Sequence, residues 1–231
     1  MTGFRRVPSD LTRRTFAWAA LALAVVAWTG LTLRAVATTP KPAAAQAIDF
    51  SAPTGWLQLS PPELAGIGYF RKENCVSCHG KSKIGPDLAQ QPATRKSAAW
   101  MIQHFKRPSE MIPGTSMPPI QLSNAQLNAL AAFLLKLTPG NAEALQSAPD
   151  FAVNGAMLYQ TNNCGTCHMV NGVGMKVGPP LNGLSKRRTD SWVSRHFVAP
   201  QVLSPGSIMP PYRLQPADMQ DLVGYLMTLP E

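Results

Sequence analysis

The sequence predicts an all-α protein in which an N-terminal transmembrane helix is followed by two tandem copies of one small domain. A run of 19 residues without a charged side chain lies near the N-terminus. Residues 95–120 recur 92 positions later as residues 187–212, and apolar residues elsewhere follow a helical period without convincing strand alternation. The predicted parts are a cytoplasmic N-terminus with its transmembrane anchor (1–37), a Pro/Ala-rich tether (38–55), domain 1 (56–140) and domain 2 (141–231).

The predicted transmembrane helix runs from Thr15 to Leu33. A helix of this length spans about 28 Å, close to the ~30 Å hydrocarbon core of a bilayer. Arg5, Arg6, Arg13 and Arg14 precede it, and basic residues mark the cytoplasmic side. We therefore expect a single-pass protein of the inner membrane with both C-terminal domains on the periplasmic side.

A cleaved secretory signal is the alternative reading of this segment, since Ala45 and Ala47 form an A-x-A site. The apolar run exceeds an ordinary signal peptide's apolar region and lies about a dozen residues from that site, so the anchor is favoured. The pair Arg13-Arg14 resembles a twin-arginine export signal, but arginines before an apolar helix are common for topology alone. Residues 38–52 are rich in Ala, Pro and Thr without a helical period, which predicts an extended tether.

The formal net charge is +9, and residues 1–34 hold five arginines against one acid. A basic balance can indicate nucleic-acid binding. Outside SKRRTD at 185–190, however, no basic block with interleaved aromatic residues occurs, and a solvated surface explains that one. We expect no nucleic-acid partner.

The repeat is a domain duplication, because it has only two copies and its offset is too long for a solenoid. The boundary lies in residues 138–150, where the helical period and the charge pattern both change. Each copy is predicted to begin and end with a helix, and the four predicted helices are Pro61–Asn74, Ser123–Leu137, Phe151–Thr161 and Pro216–Leu229.

All four cysteines lie in two Cys-x-x-Cys-His motifs, NCVSCHG at 74–80 and NCGTCHM at 163–169. A disulfide between cysteines so close in sequence is geometrically awkward, and a thioredoxin-like motif would need a βαβ surround. A zinc site would need its two cysteine pairs close together, but here they are 89 residues apart. Covalent haem attachment explains the histidine as well. We therefore expect two haem c groups, bound through Cys75, Cys78, Cys164 and Cys167, with His79 and His168 as iron ligands.

These motifs, with IGPDL at 84–88 and VGPPL at 177–181, resemble the class I cytochrome c family in a tandem dihaem form over roughly residues 60–231. The resemblance implies that Gly66 and Gly155 lie where the first and last helices of each copy cross. It implies that the carbonyls of Pro86 and Pro179 accept from the ligand histidines and that Leu88 and Leu181 pack on the haem. Copy 2 departs from copy 1 by four extra residues in MVNGVGMK.

Met117 and Met209 are the candidate second iron ligands. Each follows Pro-Gly, precedes Pro-Pro and lies before the last helix of its copy. Methionine more often fills a core, but repetition at one offset in a proline-rich loop argues against that role, and the family places its distal methionine here. His104 and His196 also repeat and are rival ligands. Met111, Met169 and Met175 have no counterpart in the other copy.

A second group of repeated residues is expected around each haem. Trp100 and Trp192, with the basic residues Arg95 and Arg187, are candidates to donate to haem propionates, which need donors when partly buried. His104 and His196 are expected beside them. Ordinary solvated side chains remain the alternative for the basic residues.

Iron held on both sides has no open position for a substrate, so the sequence predicts an electron carrier and not an enzyme, with no small-molecule substrate. Redox proteins of a quinol-oxidising bc-like complex, a terminal oxidase or a photosynthetic reaction centre are the expected partners. Arg71, Lys81 and Lys83 could form a basic rim that steers them. The alternative is a dihaem redox enzyme of peroxidase or thiosulfate dehydrogenase type. A haem-based sensor is a third class, but no output domain is recognisable in the sequence.

Overall fold

The computed structural model describes residues 55–80, 84–90 and 96–231. The predicted transmembrane helix and residues 38–54 of the tether lie outside this part of the chain and remain predictions. None of the helices in these three ranges has the length and apolar character needed to cross a membrane. The described residues belong to one compact unit.

The described part of the chain is mostly helical, and its ordered backbone consists of α-helices joined by loops and short 3₁₀ turns. The helices are α1 (Pro61–Lys72), α2 (Val76–His79), α3 (Ala98–Lys106), α4 (Pro108–Met111), α5 (Asn124–Lys136), α6 (Ala142–Gln146), α7 (Asp150–Thr161), α8 (Asp190–Val198), α9 (Pro200–Leu203) and α10 (Pro216–Thr228). The 3₁₀ turns are Gly55–Gln58, Cys164–Thr166 and Leu184–Lys186.

The predicted first and last helices of each copy form within two residues of their expected ends. Ser123 caps α5, where its hydroxyl accepts from the Gln126 N–H at 3.4 Å and its own N–H donates to the Gln126 side chain at 2.8 Å. Before α1, the Ser60 N–H donates to the Glu63 carboxylate at 2.8 Å. Reciprocal bonds of this kind satisfy helix N–H groups that have no partner in the first turn.

The first and last helices of each copy cross at a glycine. An added Cβ on Gly66 of α1 would lie 2.2 Å from the carbonyl oxygen of Ala129 in α5. An added Cβ on Gly155 of α7 would lie 2.4 Å from the Cβ of Tyr225 in α10. Only glycine allows the two backbones to approach this closely, as the family resemblance implied.

The segment MVNGVGMK, in which copy 2 has four extra residues, contains a tight two-residue hairpin turn. Val170 and Val173 exchange two backbone hydrogen bonds of 2.9 Å, and Asn171 and Gly172 between them have φ values of 46° and 79°. Positive φ at both central positions is the two-residue hairpin geometry that Asn-Gly favours. The Asn-Gly pair could therefore have predicted this turn from the sequence.

Candidate functional site

Each Cys-x-x-Cys-His motif folds as one helical turn that begins after a left-handed asparagine. Asn74 has φ 51° and Asn163 has φ 55°, a conformation that asparagine tolerates better than most residues. The N–H of His79 donates to the carbonyl of Cys75 at 2.8 Å, and in copy 2 the equivalent bond to Cys164 measures 2.9 Å. This turn brings the two cysteines and the histidine of each motif close together.

All four cysteines of the chain are described, and none is in a disulfide. Burial raises the pKa of Cys75 and of Cys164 to about 11, so these two thiols are protonated at neutral pH.

Each motif histidine is held through Nδ1 by the carbonyl of a Gly-Pro loop. The His79 Nδ1 lies 3.2 Å from the Pro86 oxygen, and the His168 Nδ1 lies 2.8 Å from the Pro179 oxygen. The glycine before each proline packs on the imidazole edge, so that an added Cβ on Gly178 would lie 2.6 Å from His168 Cε1. With Nδ1 bound to the carbonyl, Nε2 is the nitrogen that remains to ligate a metal.

A tyrosine provides copy 2 with a contact that copy 1 lacks. The Tyr159 hydroxyl donates to the backbone carbonyl of His168 at 2.6 Å, whereas the equivalent residue of copy 1 is Phe70. Burial raises the pKa of Tyr159 above its usual value of 10.0, so the phenol remains a donor over the physiological range. Sequence alignment of the copies shows the Phe-to-Tyr difference but not the bond.

Copy 2 contains a cavity of about 770 Å³. This volume lies within the range of cofactor pockets. The two cysteines and the histidine of the motif line it, and Met209 lines it too. The other expected pocket residues of copy 2 that line it are Pro179, Leu181, Arg187, Trp192 and His196. A large, mainly apolar cavity bordered by two thiols, one imidazole and one thioether fits a covalently attached haem.

In copy 1 the equivalent loops include residues 81–83 and 91–95, which lie outside the described residues, as does the predicted pocket residue Arg95. The described Leu88 and Trp100 pack against the apolar core, in the same way as Leu181 and Trp192 in copy 2. The N–H of Leu88 also donates to the His79 carbonyl at 3.1 Å.

Met117 and Met209 have the same local structure. Each is partly buried against the apolar core, and each backbone N–H donates at 3.2 Å to a hydroxyl two residues earlier, from Thr115 in copy 1 and Ser207 in copy 2. The prolines that follow continue the chain in a non-helical conformation. Only for Met209 does the described structure show the side chain and a motif histidine lining one cavity.

The remaining repeated residues form a stack in each copy. In copy 2 the Trp192 and His196 rings stack at 4.6 Å and 12°, and the Arg188 guanidinium lies 4.5 Å from the indole centroid. In copy 1 Lys96, Trp100 and His104 repeat this arrangement, with a ring separation of 5.0 Å. The repeated spacing already grouped the histidine, the tryptophan and the basic pair of each copy, but it did not predict that they stack in the order cation, indole, imidazole.

Of the two stacked histidines, His104 is buried and His196 is partly buried. The Nδ1 atoms of His104 and His196 are buried without a hydrogen-bond partner in the described structure, and burial lowers the pKa of both imidazoles. Arg187, expected to bind a propionate, instead donates to the backbone carbonyls of Pro180 and Asn182 at 2.8 Å while lining the cavity. Its role toward a propionate remains a prediction.

The cytochrome c family model matches residues 64–138 and, separately, residues 152–230. The cytochrome c-553-like protein of Synechocystis sp. is 36% identical over 78 residues, which are 34% of this chain and 69% of that protein. Cytochrome c oxidase subunit 2 of Alkalihalophilus pseudofirmus is 29% identical over 98 residues, which are 38% of this chain and only 29% of that protein. No solved structure gives a significant match.

Proposed function

The chain belongs to the cytochrome c family, which its sequence matches twice, and from this premise we propose that it is a membrane-anchored dihaem cytochrome carrying single electrons on the periplasmic face of the inner membrane. Two cytochrome c domains imply an electron-transfer protein with covalently bound haem c. The membrane anchor, the location and the role as a carrier without catalytic activity are our proposal. The anchor is supported by the 19-residue apolar run and the arginines before it.

The observation that carries the proposal is the lining of the copy 2 cavity, where His168 and Met209 join Cys164 and Cys167 around one space. The thiols would hold a haem covalently, and the imidazole and thioether would ligate its iron. By repetition, Cys75, Cys78, His79 and Met117 would do the same in copy 1. When bound, haem c supplies a one-electron couple between ferric and ferrous iron.

The chain's own residues orient this site. The Pro179 carbonyl fixes which imidazole nitrogen of His168 is available, at 2.8 Å from Nδ1. The loop around Met209 is held by the Gln201 side chain, which donates to the Met209 carbonyl at 2.8 Å. A pair of ligands held in this way leaves little to rearrange when the charge of the iron changes, which suits electron transfer.

The partners are proposed to be redox proteins of a respiratory or photosynthetic complex. One relative of this chain is a cytochrome c oxidase subunit, which supports an association with a terminal oxidase. A bc-like complex and a reaction centre fit the same chemistry. Purification of the full chain in mild detergent, with identification of the copurifying redox complex, tests this part.

The haem content and ligation are tested on the purified full-length protein. We expect two haem c groups per chain in a pyridine haemochrome assay, and the weak far-red band of sulfur-ligated ferric iron. Carbon monoxide should not bind rapidly to the reduced protein, because neither iron has an open position. Stoichiometric binding at one haem would instead support the dihaem redox enzyme.

The anchor is tested separately from the haems. The full chain should remain in the membrane fraction after alkaline carbonate extraction, whereas a chain beginning at residue 53 should be released. Protease added to the periplasmic side should reach the haem domains. Release of the uncut chain by carbonate would contradict the anchor and leave the haem assignment unchanged.

A further inference from the structure

The hairpin that distinguishes copy 2 contacts the segment at the beginning of copy 1. The Asn171 side-chain amide donates to the backbone carbonyls of Leu57 and Leu59, at 2.8 and 2.7 Å. Residues 55–59, called here the strap, precede α1 of copy 1. Asn171, in the loop that is four residues longer in copy 2, therefore holds copy 1 through its main chain.

A reciprocal pair of asparagines fixes this side chain in place. The Asn171 N–H donates to the Asn182 side-chain oxygen at 2.8 Å, and the Asn182 side-chain amide donates back to the Asn171 side-chain oxygen at 2.7 Å. Asn182 also donates to the Pro230 carbonyl at 3.1 Å. Every polar atom of the Asn171 side chain is thus bonded, and a fully satisfied polar network of this kind specifies one geometry.

Apolar packing supports the same contact between the copies. Trp56 of the strap is 6% exposed and meets Phe151 of α7 edge to face, with ring centroids 6.4 Å apart. Helix α1 packs along α7, and an added Cβ on Gly68 would lie 2.3 Å from Met157 Sδ. The interface is therefore close-packed and not merely a polar contact across water.

A separate contact lies toward the other end of α1. The Arg71 guanidinium donates to Asp150 at 2.9 Å and to the carbonyls of Gln146 and Ala148 at 2.6 and 2.8 Å. Arg71, expected in a partner-steering rim, makes this contact with copy 2 while its side chain stays 34% exposed, and the rim remains a prediction. Lys81 and Lys83 lie outside the described residues. The two contacts restrain α1 near both of its ends.

We propose that Asn171 is a positioning residue for electron exchange between the two haems, because it clamps the strap of copy 1 onto copy 2 and so fixes the separation of the two sites. This inference rests on the proposed dihaem function. Electronic coupling between redox centres falls steeply with their separation, so a fixed arrangement keeps the exchange fast and uniform. The contact is asymmetric because the corresponding loop of copy 1 is four residues shorter in sequence.

The test compares N171G with N128A in the full-length holoprotein in detergent. Glycine keeps the positive φ of the turn and removes only the side chain, so the hairpin still forms. Asn128 is the matched control, because its side-chain amide also donates to a backbone carbonyl, that of Asn124 at 2.8 Å, but within one helix. R71Q provides a second variant that perturbs the separate contact.

We expect amide exchange in peptides covering residues 55–64 to accelerate in N171G by roughly 10- to 30-fold, since each lost hydrogen bond contributes about a factor of five. Electron equilibration between the haems after a light-induced single reduction should become slower and multiphasic in N171G, while both reduction potentials stay constant. R71Q should change exchange and equilibration in the same direction, and N128A should change neither.

Unchanged amide exchange at residues 55–64 in N171G would overturn the clamp. Faster amide exchange with unchanged electron equilibration would overturn the positioning role. A wild-type protein with fewer than two haems would instead contradict the proposed function, and the haem assay on the same samples distinguishes that result from failure of the clamp.

Discussion

Replacement of Tyr159 by phenylalanine removes one hydroxyl from the wall of the copy 2 cavity and leaves the ring in place. The side chain is 2% exposed, and its hydroxyl donates to the His168 carbonyl at 2.6 Å. Copy 1 already has Phe70 at this position, so the ring alone is compatible with the fold. We therefore expect Y159F to fold and to bind haem while losing stability.

The expected loss of stability has two causes, which are the missing hydrogen bond and the His168 carbonyl left without its donor. A neutral hydrogen bond contributes about 1 kcal/mol net, and a poorly solvated carbonyl left without its donor adds to that cost, so about 1–2 kcal/mol is expected. For a unit of this size each 1 kcal/mol shifts Tm by about 2–4 °C. Y159F should therefore melt roughly 2–8 °C lower than the wild type.

The pH dependence provides a second measure of the same contact. Because burial raises the folded-state pKa of Tyr159, its contribution to stability is complete below the unfolded-state value of about 10.0 and is lost as pH rises above it. The free energy of unfolding of the wild type should fall above that pH more steeply than that of Y159F.

Denaturant unfolding and thermal melting of the holoproteins provide the assay, with Y69F as the control. Tyr69 is 3% exposed, and its hydroxyl makes no hydrogen bond within the described residues. Y69F should melt close to the wild type. Equal Tm values for Y159F and the wild type, or equal losses in both variants, would refute the reasoning.

Three further predictions concern two substitutions and one pH dependence. G66A should destabilise the protein by about 1–3 kcal/mol or more in denaturant unfolding, because its Cβ would meet the Ala129 carbonyl oxygen at 2.2 Å. M209L should remove about half of the far-red absorption and lower the reduction potential of one haem, because copy 2 would lose its sulfur ligand. Burial lowers the pKa of His104 and His196, so their contribution to stability is present above the unfolded value of 6.5 and is lost as pH falls below it.

Controls for these changes exist within the chain. Gly140 has no atom within 4 Å of an added Cβ, so G140A should be nearly neutral, and comparable losses in G66A and G140A would contradict the crossing argument. M175L changes a methionine that is 59% exposed, and it should keep the full far-red band. A double H104Q/H196Q variant should show a shallower loss of stability below pH 6.5, and an unchanged slope would exclude these imidazoles as its source.

The sequence predicted the helices and the motif turns well because their signals are local. Serine before Asn124 with glutamine three residues into the helix specifies a cap, and Asn-Cys-x-x-Cys-His specifies a single turn. The helix crossing at Gly66 and Gly155 was implied by the family resemblance, and the close approach of the helices at both glycines confirms it. The ligand and pocket assignments themselves remain predictions.

Other features could not be read from the sequence because they depend on how the two copies meet. The repeat aligns α1 with α7, but the alignment cannot show that these two helices pack against each other. Asn-Gly at 171–172 predicts a turn, yet the acceptors of the Asn171 side chain lie 112 and 114 residues away in sequence. In the sequence, Arg71 looks like an ordinary surface charge. Only the folded chain shows that its guanidinium donates to the backbone carbonyl of Ala148.

The strap has a consequence for the order of biosynthesis. Residues 55–59 leave the ribosome long before residue 171 does, so the contact that holds them cannot form while only the first half of the chain has been made. N-terminal domains generally fold first as units. The contact between the strap and Asn171 therefore forms only after residue 171 has been made, so the packing around the N-terminal end of α1 is completed by the second half of the chain.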